Sequence, residues 1–291
     1  MTKIVFIGLG IMGLPMATNL VKAGFDVTGV NRSQAAEERL AASGGRRTDN
    51  LPQAIAEADV VVTMLPDTPD VTTVLAGDEG VFTHATAGTL VIDFSTIRPD
   101  ASRELSELGS AKGIDVLDAP VSGGDSGAIQ GILSIMVGGE QAAFERAQPV
   151  FDAVGKTIVR VGTAGAGQTV KAANQIIVAN NLQALAEAIV FLEANDVDAE
   201  TAVSVLSGGL AGSTVMERKG PQMLRRDFTP GFKTELHHKD LGITLDTARS
   251  KKVVLPLSAL SAQFIAALNA QGRGANDHTE LISLVEAVSG R

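Results

Sequence analysis

Two groups of residues in this 291-residue chain have types and spacings that could do chemistry. The first is Gly8-Leu9-Gly10-Ile11-Met12-Gly13, which fits the pattern G-x-G-x-x-G. Three glycines alone would also describe an ordinary glycine turn. Here the apolar run Lys3-Ile4-Val5-Phe6-Ile7 reads as a strand before them and a helical pattern opens at Gly13, the setting in which such a turn cradles a dinucleotide pyrophosphate. Gly8 would allow the tight turn, Gly10 the approach of phosphate to backbone, and Gly13 close packing of helix on strand, while the unpaired N–H groups of the helix start face the anion. The second group is Lys171, Asn174 and Gln175. At i, i+3 and i+4 of a helix they share one face and gather an ammonium and two amides. Reduction of a carbonyl by a nicotinamide needs a proton donor beside the oxygen, and the four histidines, His84, His237, His238 and His278, make no evident constellation for it. Lys171 is the stronger candidate; a solvated surface lysine is the plain alternative.

Ligands of open parallel sheets sit outside the carboxyl ends of the strands, so the residues there are the next to read. After the second strand, where an acidic residue would bond the ribose of NAD, the chain has Asn31-Arg32-Ser33. Arg32 offers forked donors to a 2′-phosphate and Ser33 a hydroxyl, which favours NADP(H). Arg32 stacked over adenine would serve either cofactor, so NAD(H) stays open. Met64-Leu65-Pro66 could wall the adenosine with apolar atoms, and the hydroxyls of Ser95 or Thr96 could hold the nicotinamide riboside, although loop capping would use the same residues. Ser122-Gly123-Gly124, just after a strand ending at Asp118, offers a hydroxyl and backbone N–H groups resembling a carboxylate cradle. A helix cap would read the same way.

The elements that must position these groups are legible from periodicity. Short β-branched runs at Lys3–Gly8, Asp26–Asn31, Val60–Met64, Thr89–Asp93, Asp115–Asp118, Ser134–Val137 and Thr157–Val161 alternate with amphipathic stretches such as Gly13–Ala23, Gln34–Ala42, Pro99–Lys112 and Glu140–Val154. That rhythm is a doubly wound, Rossmann-type α/β domain of parallel strands buried on both faces, over residues 1–162. From Gly165-Ala166-Gly167 the pattern is helical to the end. A long helix reaches Asn195, and segments at Ala199–Leu206, Val215–Leu224, Lys233–Ser250, Pro256–Ala270 and Thr279–Ala287 make residues 163–291 an all-α domain. The long helix is apolar nearly all round, so it is expected to be buried between domains or subunits, and a homo-oligomer, dimer or tetramer, is expected with it.

Composition narrows the function. The chain has no cysteine, which removes disulfides, Cys-ligated metal and thiol nucleophiles, and a cytoplasmic location is the expectation. Lys and Arg number 24 against 33 Asp and Glu, a net charge of −9 that disfavours nucleic acid as a partner. Aromatic content is 3% with neither Trp nor Tyr, so base-stacking platforms are largely absent and a small polar ligand is expected. The uncharged run Ile4–Val21 is interrupted by Gly8, Gly10, Gly13, Pro15, Thr18 and Asn19, which argues against a signal peptide or membrane anchor. No other segment reads as membrane-spanning, and no metal is called for.

Taken together, Gly8–Gly13, Asp118-Ala119-Pro120-Val121-Ser122-Gly123-Gly124, Gly165-Ala166-Gly167 followed by Lys171 and Asn174, and Lys239-Asp240-Leu241 resemble the β-hydroxyacid dehydrogenases over nearly the whole chain. The resemblance implies that Lys171 is the catalytic acid/base, that Ser122, Gly123 and Gly124 hold the substrate carboxylate, and that Asn174 orients substrate. It also implies that Lys239 reaches the cofactor or substrate from the second domain. Gln175 stands where siblings often carry a second Asn, which keeps an amide but lengthens it. Within the family, Gly208-Gly209-Leu210-Ala211-Gly212-Ser213-Thr214 and Leu236-His237-His238-Lys239-Asp240-Leu241 imply tartronate semialdehyde as the substrate, reduced to glycerate, with 3-hydroxyisobutyrate as the alternative. A lysine is ordinarily protonated at neutral pH, ready as an acid for reduction, so alcohol oxidation is expected to speed up toward alkaline pH. The rival of another class is a non-catalytic dinucleotide sensor or scaffold on the same fold.

Overall fold

Residues Met1–Arg291 are all described by the structure, a computed structural model. In chain order the first elements are β1 (Lys3–Ile7), α1 (Gly13–Lys22), β2 (Asp26–Val30), α2 (Gln34–Ala42), α3 (Leu51–Ala56), β3 (Val60–Thr63), α4 (Thr68–Ala76), α5 (Val81–His84) and β4 (Leu90–Asp93). There follow α6 (Pro99–Ser110), β5 (Asp115–Asp118), β6 (Val121–Ser122), α7 (Gly124–Gln130), β7 (Leu133–Gly138), α8 (Gln141–Val154) and β8 (Gly155–Gly162). The remainder is helical: α9 (Ala166–Ala194), α10 (Ala199–Ser207), α11 (Thr214–Arg225), α12 (Thr234–Ser250), α13 (Pro256–Ala270), a 3-10 turn (His278–Glu280) and α14 (Leu281–Val288). Two compact units result, Met1–Lys171 and Ala172–Arg291.

The strand order β2-β1-β3-β4-β5-β7-β6, with β8 on β7, puts β1 beside both β2 and β3, so the glycine turn after β1 opens where the sheet order reverses. Alternation along β1 sends Ile4 and Phe6 into one core and Val5 and Ile7 into another, and every residue of β3 and β4 is buried. A sheet covered on both faces by helices produces this pattern. The first five strands are parallel as expected, but β7 runs antiparallel to β5 and β6. The reason is local. Instead of a crossover helix, the chain after β5 makes the two-residue β6 and the seven-residue α7, then turns at Gly131 (φ 68°) back into β7. The fourteen-residue α8 then makes a true crossover, and β8 lies parallel to β7.

In the helical unit, Leu182, Ile189, Met223, Leu241, Ile265, Leu268 and Ile282 are buried in a single core. Helix α9 contributes Ala179, Leu182, Ala186 and Ile189 to it, yet leaves Ile177 and Phe191 exposed in the single chain. In the single chain, then, α9 buries one face, and the other is the surface that the expected burial between subunits would cover. Contrary to the sequence reading, α9 is by length and composition apolar enough to cross a membrane, with an 18-residue stretch of mean hydropathy 1.4. Its buried residues are accounted for by this core.

The sequence also left His237 and His278 unconnected, whereas the structure brings them together. Both rings are buried, with their Nδ1 atoms 3.1 Å apart, so one donates and the other accepts. Burial and the facing His237 ring push His278 well below the usual histidine value. Beside it the buried Asp277 accepts hydrogen bonds from Lys219 Nζ at 3.0 Å and from the N–H groups of Gly231, Phe232 and Thr279. Burial alone would raise its carboxyl, but the His278 ring, the Lys219 ammonium and the N–H donors pull it down to about 2. Both groups are displaced downward, so each stabilises the fold above its unfolded-state pKa and the stability is lost on acidification. The histidine share begins to go as pH falls through about 6.5, and the aspartate share only below about 4. Urea unfolding of the helical unit, followed by backbone exchange of α12 and α14, should show falling stability between pH 7.5 and 5. His278→Gln should flatten that slope; an unchanged slope would remove His278 as its source.

Candidate active site

The glycine turn between β1 and α1 is tightly packed at two of its three glycines. Gly8 adopts φ 104°, a left-handed conformation that favours glycine, and a Cβ there would strike Met64 O. A Cβ at Gly13 would collide with Gly8 O, so α1 can start this close to β1 only with glycine. Gly10 differs, since a Cβ there would meet nothing within 4 Å, which leaves its backbone open to a ligand. No side chain caps α1 and no acidic residue occupies its first turn, so the helix end keeps its positive character. These features fit a dinucleotide pyrophosphate, with Leu9, Ile11 and Met12 filling the turn.

Asn31 turns back toward this turn. Its Oδ1 accepts the Leu9 N–H at 3.1 Å, its Nδ2 donates to Ser33 O at 3.3 Å, and its own N–H donates to Glu37 Oε1 at 2.9 Å. The side chain thus braces the glycine loop, while Arg32 and Ser33 are the exposed groups at the end of β2. After β3, Met64 and Leu65 are half-buried and Pro66 is exposed. Ser95 departs from the role expected of it: it is fully buried, and its Oγ accepts the Leu65 N–H at 2.8 Å. Its hydroxyl joins two strand-end loops, which leaves the half-buried Thr96 as the hydroxyl nearer the surface of this segment.

Lys171 lies in the second turn of α9 and is 7% exposed. Its Nζ donates to Val121 O at 2.8 Å, which sets the ammonium at the peptide just ahead of Ser122-Gly123-Gly124. Gly123 (φ 141°) and Gly124 (φ 66°) turn the backbone there. Two buried carboxylates that the sequence reading did not single out stand behind this arrangement. Asp118, at the end of β5, accepts the N–H groups of Gly165 at 2.7 Å and Gln168 at 2.9 Å and so clamps the start of α9. Burial pushes its carboxyl up to about 6 in spite of those donors. Asp93, at the end of β4, accepts from Thr63 Oγ1 and the Ser95 N–H, and burial raises it likewise to about 6. The signal available in the sequence was position alone, since both are the last residues of central strands.

In the helical unit, Gln175 is buried, accepts from Asn174 Nδ2 at 2.8 Å and donates to Asp240 Oδ2 at 2.7 Å. Lys239 pairs with the other oxygen of Asp240 at 2.9 Å. Asp240 therefore ties the amide pair on α9 to the lysine on α12. The expected convergence of two amides becomes one amide held by the other and by a carboxylate. His84 pairs with Glu79 at the surface.

Residues 3–162 match the family described as the NAD binding domain of 6-phosphogluconate dehydrogenase, and residues 165–285 match the NAD-binding domain of NADP-dependent 3-hydroxyisobutyrate dehydrogenase. The chain is 40% identical over 287 residues to 2-hydroxy-3-oxopropionate reductase of Escherichia coli, covering 99% of this chain and 98% of that one. It is 38% identical to 2-(hydroxymethyl)glutarate dehydrogenase of Eubacterium barkeri, covering 99% and 96%. Among solved structures, 3-hydroxyisobutyrate dehydrogenase of Mycobacterium tuberculosis with L-serine superposes with a TM-score of 0.88 at 36% identity, covering 98% and 99%. With a glycine turn shaped for a dinucleotide, a nearly buried lysine at the head of α9 and likeness over the full length of both units, the chain belongs to the β-hydroxyacid dehydrogenase family of nicotinamide-dependent oxidoreductases.

Proposed function

We propose that the protein reduces tartronate semialdehyde to glycerate with NADPH as the preferred reductant and Lys171 as the proton donor. The observation that carries this reading is the Lys171 ammonium, almost buried and 2.8 Å from the carbonyl of Val121, against the segment Ser122–Gly124. The dihydronicotinamide supplies the hydride when bound. Ser122, Gly123 and Gly124 hold the substrate carboxylate through a hydroxyl and backbone N–H groups, which brings the aldehyde oxygen to Lys171. The ammonium stabilises negative charge growing on that oxygen and then gives up its proton to it, so the aldehyde gains one hydride and one proton to become the alcohol. Asn174, steadied by Gln175, orients the substrate, and Lys239 serves the cofactor or substrate, as in the family resemblance. Exposed Arg32 and Ser33, with no carboxylate at position 31, support NADP(H) over NAD(H). A cytoplasmic location, a small carboxylate substrate and no membrane partner belong to the same reading, and the net charge of −9 disfavours nucleic acid. Exposed Ile177 and Phe191 on α9 support a homo-oligomer.

The second reading is 3-hydroxyisobutyrate oxidation, favoured by the Mycobacterium tuberculosis structure. One set of assays separates the two: kcat/KM for tartronate semialdehyde and for methylmalonate semialdehyde, each with NADPH and NADH. Our reading expects the hydroxyl-bearing substrate and NADPH to lead by roughly tenfold or more, the scale of a few pocket contacts of about 1–3 kcal/mol. A lead for methylmalonate semialdehyde would transfer the assignment to the second reading. No oxidation of either reduced cofactor would support a binding protein instead.

A further inference from the structure

The start of the helix that carries Lys171 is tied to the Ser95-Thr96-Ile97 loop through the Gln168 side chain. Gln168 is 1% exposed and sits one helical turn before Lys171. Its Nε2 donates to Ser95 O at 2.8 Å and its Oε1 accepts the Ile97 N–H at 3.1 Å, so a single amide spans both sides of Thr96. Its backbone N–H is fixed by Asp118 Oδ2. Gly167 leaves room for this seat, because a Cβ there would strike Met136 O and crowd the Asp118 carboxylate. Ser95 in turn holds Leu65 from the neighbouring strand end. We propose that Gln168 is a positioning residue that fixes the Lys171 amine in register with the Ser95-Thr96-Ile97 loop, so that proton donor and cofactor loop are set by one amide. The proposal rests on the reading of Lys171 as the proton donor.

The amide chemistry matters because Ser95 O needs a donor and the Ile97 N–H an acceptor, and only a group carrying both satisfies the two. Methionine at this position fills the space and supplies neither. A glutamic acid supplies both while protonated and loses the donor when ionised. The charged groups on the elements around it are Asp118 on β5, which accepts its backbone N–H, Asp93 on β4, which accepts the Ser95 N–H, Lys171 one turn on along α9, and Arg103 of α6, whose guanidinium borders Gly165.

The test uses the full-length protein. Gln168→Met should lower kcat about ten- to a hundredfold, the scale of an ångström of misplacement, while the NADPH dissociation constant and the aldehyde KM move less than about threefold. In the cofactor-free protein, hydrogen exchange at the Ile97 amide should accelerate at least about tenfold over wild type. For Gln168→Glu, the ratio of its kcat to that of wild type should approach one at the acid end of the range and fall as pH rises, with circular dichroism confirming the fold at each pH. A wild-type kcat and Ile97 exchange rate in Gln168→Met would overturn the proposal. So would a Gln168→Glu ratio that is flat with pH, which decides the matter alone if the methionine variant does not fold. Lys171→Ala separates the two levels. If it is fully active the proton-donor reading fails, and if it is inactive beside a wild-type Gln168→Met only the tie fails.

Discussion

Replacing Lys171 by alanine should lower turnover by about 10²–10⁴-fold, the usual worth of a positioned proton donor. The affinity for NADPH should change little, because the glycine turn, Asn31 and the strand-end loops proposed to frame the dinucleotide are untouched. The loss should fall on kcat and kcat/KM together, since the proton is needed in the transition state more than in the bound ground state. Lys171→Arg keeps a cation but presents a planar fork that does not readily give up its proton, so it should recover charge stabilisation and little of the rate. Titration of cofactor fluorescence alongside steady-state reduction separates these effects. A loss confined to cofactor affinity would move Lys171 out of the chemistry and into binding.

The second large effect belongs to Gly13. Gly13→Ala places a methyl against Gly8 O; a Cβ has no rotamer to change and the atom it meets is backbone, so neither side can yield without moving the chain. Helix α1 must then move away from β1, and the turn opens where the pyrophosphate should lie. An overpacking cost of about 1–3 kcal/mol, felt through the binding loop, corresponds to cofactor binding weakened about five- to 150-fold. Gly10→Ala is the internal control for sterics within the fold: a Cβ there meets nothing, so the unliganded protein should keep its stability while affinity falls. Thermal unfolding without cofactor and NADPH titration of both variants provide the check. Equal affinity in Gly13→Ala and wild type would count against this turn as the binding loop.

Much of the framework was legible because its causes are local. The β1–turn–α1 unit shows in an apolar run, three glycines and a helical period. The strands β1 to β5 and helices α9 to α14 follow hydrophobic spacing closely. What escaped depends on contacts far apart in sequence. The antiparallel β7 depends on the reversal at Gly131, which no period signals. The Asp118 clamp joins positions about fifty residues apart, and the Gln168 bonds to Ser95 and Ile97 join positions about seventy apart. His237 and His278 meet across forty-one residues, so neither looked like half of a pair. Ser95 was rightly placed at a strand end, but its burial, invisible in the sequence, turns its hydroxyl inward to Leu65. Lys171 stood out for its type and its place on a helix start, yet the amine's seat at Val121 O came only with the fold.

The most direct test of the central claim is the pH dependence of single-turnover reduction, with wild type and Lys171→Ala both saturated with NADPH and mixed with tartronate semialdehyde. If the Lys171 amine donates the proton, the wild-type rate declines on the alkaline side as the amine loses it, and the variant is slow and lacks that decline. The same alkaline decline in both proteins, or equal rates at neutral pH, would contradict the account.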